Sequence, residues 1–304
     1  MPERGEERVE VSVGGRTLSL SNLDKVLYPE VGFTKAQVID YYARVAPAML
    51  AHVARRCMTL RRWPNGVDAE SFFNKRCPAH RPGWVPVALG PGDRDGEIDY
   101  CRLEEPAALV WTANLAAIEL HAPMARCDDL ETPTMLVFDL DPGEPATIVE
   151  CCQVALDLRG VLEPIGLQSF PKTSGSKGLQ IYVPLNHPHT HDHASSFALA
   201  VGQLLARRHP DRVLVEMTKS LRRNRVFVDW SQNSRHKTTI AVYSLRARPT
   251  PTVSTPIDWD EVADGAAGAP LGFDSDQVLA RVAERGDLFA PTATLVQELP
   301  VGGA

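Results

Sequence analysis

Two aspartates, Asp139 and Asp141, stand at the end of the apolar run "MLVFDLDPGEP". On an extended strand, residues i and i+2 point to the same face, so these carboxylates project together, about 7 Å apart at their Cα atoms. Like charges on one face repel unless a cation lies between them. Hard divalent cations take carboxylate oxygens and keep open positions for substrate phosphates. A second apolar run, "VFVDWSQ", ends in Asp229. A third carboxylate converging on the first two would complete a two-metal site, which stabilises attacking and leaving oxygens in phosphoryl transfer. Singly, the residues admit plainer roles: a helix cap and a buried ion pair for the first two, a turn for Asp229.

Two further stretches could serve the same chemistry. In "KTSGSKG", residues 172–178, small residues let backbone N–H groups approach phosphate oxygens, and Lys177 adds a point charge. The pattern is not that of a P-loop, and a plain hairpin turn remains open. In "WSQNSRHKTTIAVYSLRARP", polar and cationic residues alternate with apolar ones. Gln232, Lys237 and Arg246 would line the continuation of a site that Asp229 faces; a solvated strand face is the alternative.

The elements that must position these residues are legible in outline. "VEVSVGGRTLSLS" reads as a hairpin around Gly-Gly. "TKAQVIDYYARVAPAMLAHVARR" reads as a helix capped by its Thr, and "PAALVWTANLAAIELHA" as another. "PTMLVFDLDPGE" is a strand, "PATIVECCQVALDLRGVLEPIG" a helix with a Gly stop, and "LQSFPKTSGSKGLQIYVPL" strand, turn and strand. "SSFALAVGQLLARRHPD" is a helix and "NRVFVDWSQ" a strand. Beyond about residue 250, in a Pro-, Thr-, Ala- and Gly-rich tail, "SDQVLARVAERGD" is the credible helix. Without a regular βαβ repeat, this predicts an α+β or mixed α/β fold in one domain.

The chain has 304 residues, 44% of them hydrophobic and 23% charged, an ordinary globular composition. Neither a membrane span nor the apolar core of a signal peptide is visible, so a cytoplasmic protein with no membrane partner is expected. The net charge of −6 argues against a simple nucleic-acid binder, yet basic residues cluster at "RRCMTLRRW", "FFNKRCPAHR" and "TKSLRRNRV". Six cysteines form no CxxC pair and read as reduced and structural, not as a disulfide framework or zinc site. The histidines at 187, 189, 191 and 193 read as a solvated loop.

Taken in order, "LVFDLDPG", "KTSGSKGL", "EMTKSLR", "VFVDWSQNS", "KTTIA" and "YSLRARP" resemble the polymerase domain of bacterial ATP-dependent DNA ligase D, a branch of the archaeo-eukaryotic primase superfamily. "SNLDKVLYPEVGFTK", "RRWPNGVD" and "FFNK" match the same family, and the resemblance spans about residues 8–290. It implies a primase-polymerase fold, with central mixed or antiparallel sheets flanked by helices, in a stand-alone relative of the domain. It implies that Asp139, Asp141 and Asp229 bind two ions of manganese or magnesium. Ser174, Lys177 and Arg246 would contact the triphosphate of an NTP or dNTP, with His121 nearby and Gln232 and Lys237 as lining residues. Lys25 and Lys35 would hold a downstream 5′-phosphate, Phe72 and Phe73 would stack on bases, and Arg222 would touch a DNA strand.

Two departures stand out. Gln180 replaces a histidine of the family's "KGLH", and Val242 replaces the proline of "TIAPYSLR". Glutamine still donates a hydrogen bond but cannot become cationic. The implied activity is template-directed nucleotide addition to a 3′-OH, with ribonucleotides preferred, at gaps or double-strand breaks in DNA repair. A separate DNA ligase and an end-binding protein would be partners at the nucleoid. De novo priming, or a catalytically weak module that binds DNA ends by the 5′-phosphate, are the alternatives.

Overall fold

The computed structural model describes residues 8–92 and 96–300. The polar lead at residues 1–7 lies outside the described residues. Within them are six α-helices: α1 (Lys35–Val53), α2 (Pro106–Asn114), α3 (Ile148–Leu162), α4 (His191–Arg208), α5 (Trp259–Ala266) and α6 (Ser275–Arg285). Local chemistry sets their starts. Capping boxes pair Thr34 with Gln37 at α1, Thr147 with Glu150 at α3, Asp258 with Glu261 at α5 and Asp274 with Gln277 at α6.

The run "MLVFDLDP" becomes the central strand, Met135–Pro142, of a five-stranded sheet. The order is Phe170–Thr173, Leu179–Pro184, Met135–Pro142, Val226–Asp229, Val213–Leu214, antiparallel except for the last pair. Alternation sends Leu136, Phe138 and Leu140 into a core shared with α3 and α4. Val137, Asp139 and Asp141 take the other face. That face meets a four-stranded antiparallel sheet ordered Thr239–Ile240, Ala117–Ala122, Thr59–Arg62, Phe72–Asn74. The second sheet shares a core with α1 and α2. The expected α+β architecture, central sheets flanked by helices, is what forms.

Four sequence expectations are corrected. "PAALVWTANLAAIELHA" is not one helix: α2 stops at Asn114, Ala116 takes φ +56°, and Ala117–Ala122 is a strand. The pairing demand of Thr59–Arg62 decides this, since a short apolar run fits either element. Cys77 and Cys101 form a disulfide across 24 residues, tying the segment after Phe72–Asn74 to the strand Glu97–Cys101. Cys57, Cys127, Cys151 and Cys152 are free. The histidine segment is not wholly a solvated loop. His191 opens α4, is buried, and its ring nitrogens face the carbonyls of Asn233 (2.8 Å) and Leu130 (3.1 Å). Finally, α5 lies in the stretch read as tail.

A loop of this length makes the disulfide worth about 3 kcal/mol. Urea unfolding should show Cys77→Ser destabilised by that amount. Reductant should destabilise the wild type equally and leave the variant unchanged.

Candidate active site

Where the two sheets meet, a cavity of 460 Å³ opens. Asp139 and Asp141 enter it from the central strand, and His121 from the facing sheet. The hairpin turn between Phe170–Thr173 and Leu179–Pro184 supplies Ser174 and Lys177. Arg222, Gln232 and Arg246 complete the expected residues that line it. Lys237 is not among them; it lines a neighbouring cavity of 40 Å³ with Lys75 and Arg235.

The hairpin turn is built for close approach. Ser174 Oγ accepts from the backbone N–H of Ser176 (3.3 Å) and Gly178 (3.1 Å), folding the loop onto itself. Gly175 has φ +66°, and a Cβ there would lie 2.6 Å from the Val253 carbonyl carbon. Gly178 packs so tightly that a Cβ would sit 2.3 Å from the Leu140 carbonyl oxygen. Lys177 is exposed and pairs with Glu144 at 2.6 Å, a solvated contact that an anion could replace at little cost.

The carboxylates are crowded. Asp139 lies directly opposite Asp229 across the strand pair. Burial, then the charge of Asp141, push Asp139 up to about 7, against the Gln180 hydrogen bond. Burial and the charge of Asp229 also raise Asp141, with Arg222 and Arg246 opposing. Although surrounded by protein, Asp141 still reaches solvent through the cavity. Asp229 is held by its own turn: Ser231 donates through N (3.0 Å) and Oγ (2.6 Å), and Gln232 through Nε2 (2.8 Å). Among the described residues no three His, Cys, Asp or Glu side chains form a closed ligand set as placed. The donor chemistry nonetheless fits a hard divalent cation, because Asp139 and Asp141 offer carboxylate oxygens whose mutual repulsion such a cation removes.

One acid was missed from the sequence. Glu119 is buried and accepts from His121 Nε2 (3.1 Å), Arg246 Nε (2.9 Å) and the Ala247 N–H (3.2 Å). Burial pushes its pKa up, but the His121 hydrogen bond and the Arg246 charge outweigh it and hold the carboxyl at about 2. Burial lowers the pKa of His121, while Glu119 opposes. Glu119 and His121 stand i, i+2 on one strand, the spacing that flagged Asp139 and Asp141, so "IELHA" carried the signal. Arg246 is fixed further by donating from Nη1 to the Ser174 carbonyl (2.8 Å) and by Tyr28, whose hydroxyl donates to its carbonyl (3.0 Å).

Of the expected DNA-side residues, Phe72 and Phe73 lie on the edge strand of the second sheet. Phe72 and Phe73 are 45% and 57% exposed, too open to be core. Arg62 sits over Phe72 (5.2 Å) and Arg61 over Phe73 (5.0 Å), and Phe73 meets the His121 ring edge-on at 5.7 Å. The exposed Lys25 donates to Asn65 Oδ1 (3.1 Å). Lys35 differs from expectation in its setting: it is 5% exposed and its Nζ donates to the Ser21 carbonyl (2.6 Å).

A family model for the LigD primase-polymerase domain matches residues 34–289. The chain belongs to that family. It is 45% identical over 274 residues to the multifunctional non-homologous end joining protein LigD of Mycolicibacterium smegmatis, covering 90% of this chain and 35% of that protein. It is 30% identical over 273 residues to the bifunctional LigD of Bacillus subtilis, covering 90% of this chain and 43% of that protein. The chain thus spans about a third to two-fifths of the length of these LigD relatives. Its fold matches the polymerase domain of Mycobacterium tuberculosis ligase D, solved in complex with DNA. The TM-score is 0.86 at 44% identity, over 91% of this chain and 98% of that one. Among the described residues no helix is long and apolar enough to cross a membrane.

The raised pKa of Asp139 sets a pH dependence. Between about pH 4 and 7 the native state holds a proton that the unfolded state has released, so stability falls as pH rises. The slope is at most about 1.4 kcal/mol per pH unit. Urea unfolding from pH 4 to 8 without metal should show this fall in the wild type, reduced in Asp139→Asn.

Proposed function

We propose that this chain is a template-directed nucleotidyltransferase that extends a 3′-OH at gaps or broken ends of DNA. The observation that carries the reading is one cavity lined by paired carboxylates together with Lys177, Arg246 and the small residues of a tight turn. Acids on one wall and phosphate-binding groups on the other suit a nucleoside triphosphate held by a divalent cation. Membership of the LigD primase-polymerase family, and likeness to a ligase D polymerase domain solved with DNA, support the same reading.

Asp139 and Asp141, with Asp229 beside them, would hold manganese or magnesium, which when bound would neutralise the triphosphate and lower the pKa of the 3′-OH. Lys177 and Arg246 bind phosphate oxygens, and Arg246 is oriented for this by Glu119. Ser174 shapes the turn by accepting from the Ser176 and Gly178 N–H groups. His121 donates to Glu119 and presents its ring to Phe73 at the join between nucleotide and DNA. Phe72 and Phe73 offer stacking faces to unpaired bases, and the exposed Lys25, held by Asn65, would meet a 5′-phosphate. Arg222 adds to the cationic lining, while Lys237 stands in the neighbouring cavity. Deeply buried, Lys35 would act by fixing the Ser21 segment around Lys25.

On a gapped duplex with a 5′-phosphate, manganese and NTPs or dNTPs, the wild type should extend the primer, with NTPs favoured. Asp139→Ala combined with Asp141→Ala should abolish extension while DNA is still bound. Absence of extension by either protein, with tight 5′-phosphate-dependent binding by both, would instead favour an end-binding module. With three to five ionic phosphate contacts, DNA affinity should fall roughly 40- to 500-fold between 50 and 200 mM salt, as read by fluorescence anisotropy. A flat response would count against DNA as the ligand.

A further inference from the structure

Four polar side chains occupy one level of the five-stranded sheet, each directly opposite the next: Lys172, Gln180, Asp139 and Asp229. The carboxylates at one end belong to the site already described; the lysine at the other does not. Lys172 is 1% exposed, outside the reach of solvent or substrate. Its ammonium has three protons and three acceptors: Gln180 Oε1 (2.5 Å), Ser254 Oγ (2.6 Å) and the Ile240 carbonyl (3.2 Å). All of its donor capacity is therefore used inside the protein.

This settles which way the Gln180 amide points. Its oxygen faces the lysine, so its NH2 turns toward Asp139, its partner on the adjacent strand, and lowers that acid's pKa. Flipped, the amide would set its oxygen against the carboxylate and its NH2 against the ammonium, losing both hydrogen bonds. We propose that Lys172 is a positioning residue that acts through Gln180, locking the amide so that one side of Asp139 is occupied and its remaining lone pairs face the cavity. In its charged form Lys172 also sets a positive charge behind two acids that stand together; burial pushes its pKa down to about 7, while Asp139 favours the charged form. Outer-shell partners of this kind commonly set metal affinity by 10- to 100-fold. The inference rests on the proposed function only in taking Asp139 as a metal-binding carboxylate.

The test measures Mn2+ binding by electron paramagnetic resonance titration, with primer extension alongside. Lys172→Met should fold, as urea unfolding will show, and lose 10- to 100-fold in Mn2+ affinity. Its kcat should fall while KM for the nucleotide changes little. Gln180→Leu should show a loss of the same size. Lys172→Met combined with Gln180→Leu should be no worse than either alone, because both remove one connection. Gln180→His, which keeps a donor toward Asp139, should retain most of the affinity.

Wild-type Mn2+ affinity in Lys172→Met, or losses that add in the double variant, would overturn the proposal. Should Lys172→Met fail to fold, Gln180→Leu decides, since wild-type affinity there shows that the Gln180 amide does not carry the effect of the lysine. Asp139→Ala is the control. If the wild type shows no Mn2+ binding that depends on Asp139, the metal-site reading falls and the relay with it. Asp139-dependent binding that neither Lys172→Met nor Gln180→Leu alters sinks the relay alone.

Discussion

Repulsion between neighbouring carboxylates is the constraint around which this molecule is arranged. Asp139 and Asp141 share one face of a core strand, and Asp229 stands opposite Asp139. Two unit charges 4 Å apart interact by about 4 kcal/mol at the effective dielectric of a protein surface. The fold answers from several directions. Arg222 and Arg246 approach Asp141 across the cavity, Gln180 donates to Asp139, and Ser231 and Gln232 hold Asp229. What remains uncompensated is a standing preference for a cation.

Glu119 plays a different part, because it is fully compensated. It joins Arg246, on the phosphate side, to His121 and Arg61, on the side of Phe73. Arg61 is its cross-strand partner, so the joint is held by sheet register as well as charge. A shift of the second sheet would disturb both sides together. The residues proposed to meet nucleotide and DNA are thereby tied to one strand pair, which favours accuracy of placement over adaptability.

Much of this was legible in the sequence because it is local. Alternation placed Asp139 and Asp141 on one face, Thr34 announced α1, and small residues marked the turn at 174–178. What escaped depends on partners distant in the chain. Glu119 gains meaning only from Arg246, 127 residues away. The strand Ala117–Ala122 is imposed by Thr59–Arg62, and no spacing rule pairs Cys77 with Cys101. Lys172 carries no local signal in the sequence, because Ser254 and Ile240, which close over it, lie far along the chain. Lys35 likewise lies on α1 with no local sign that its amine turns inward.

The stitching at the far end of the chain bears on where this domain can be cut. The family match ends at residue 289, yet Gln297 takes the place of a missing strand neighbour. Its backbone N–H donates to the Leu185 carbonyl (2.8 Å). Its side chain bridges Gln168 N (2.7 Å), Gln168 O (3.0 Å) and Pro184 O (2.9 Å). Asn186 donates to Leu295 O (2.8 Å), and Leu299 N to His189 Nε2 (3.3 Å). These bonds close the end of the strand that carries Gln180. An excision at the edge of the family match would bare that strand's carbonyls, so the bonds that close the sheet beneath the carboxylates run on to Leu299.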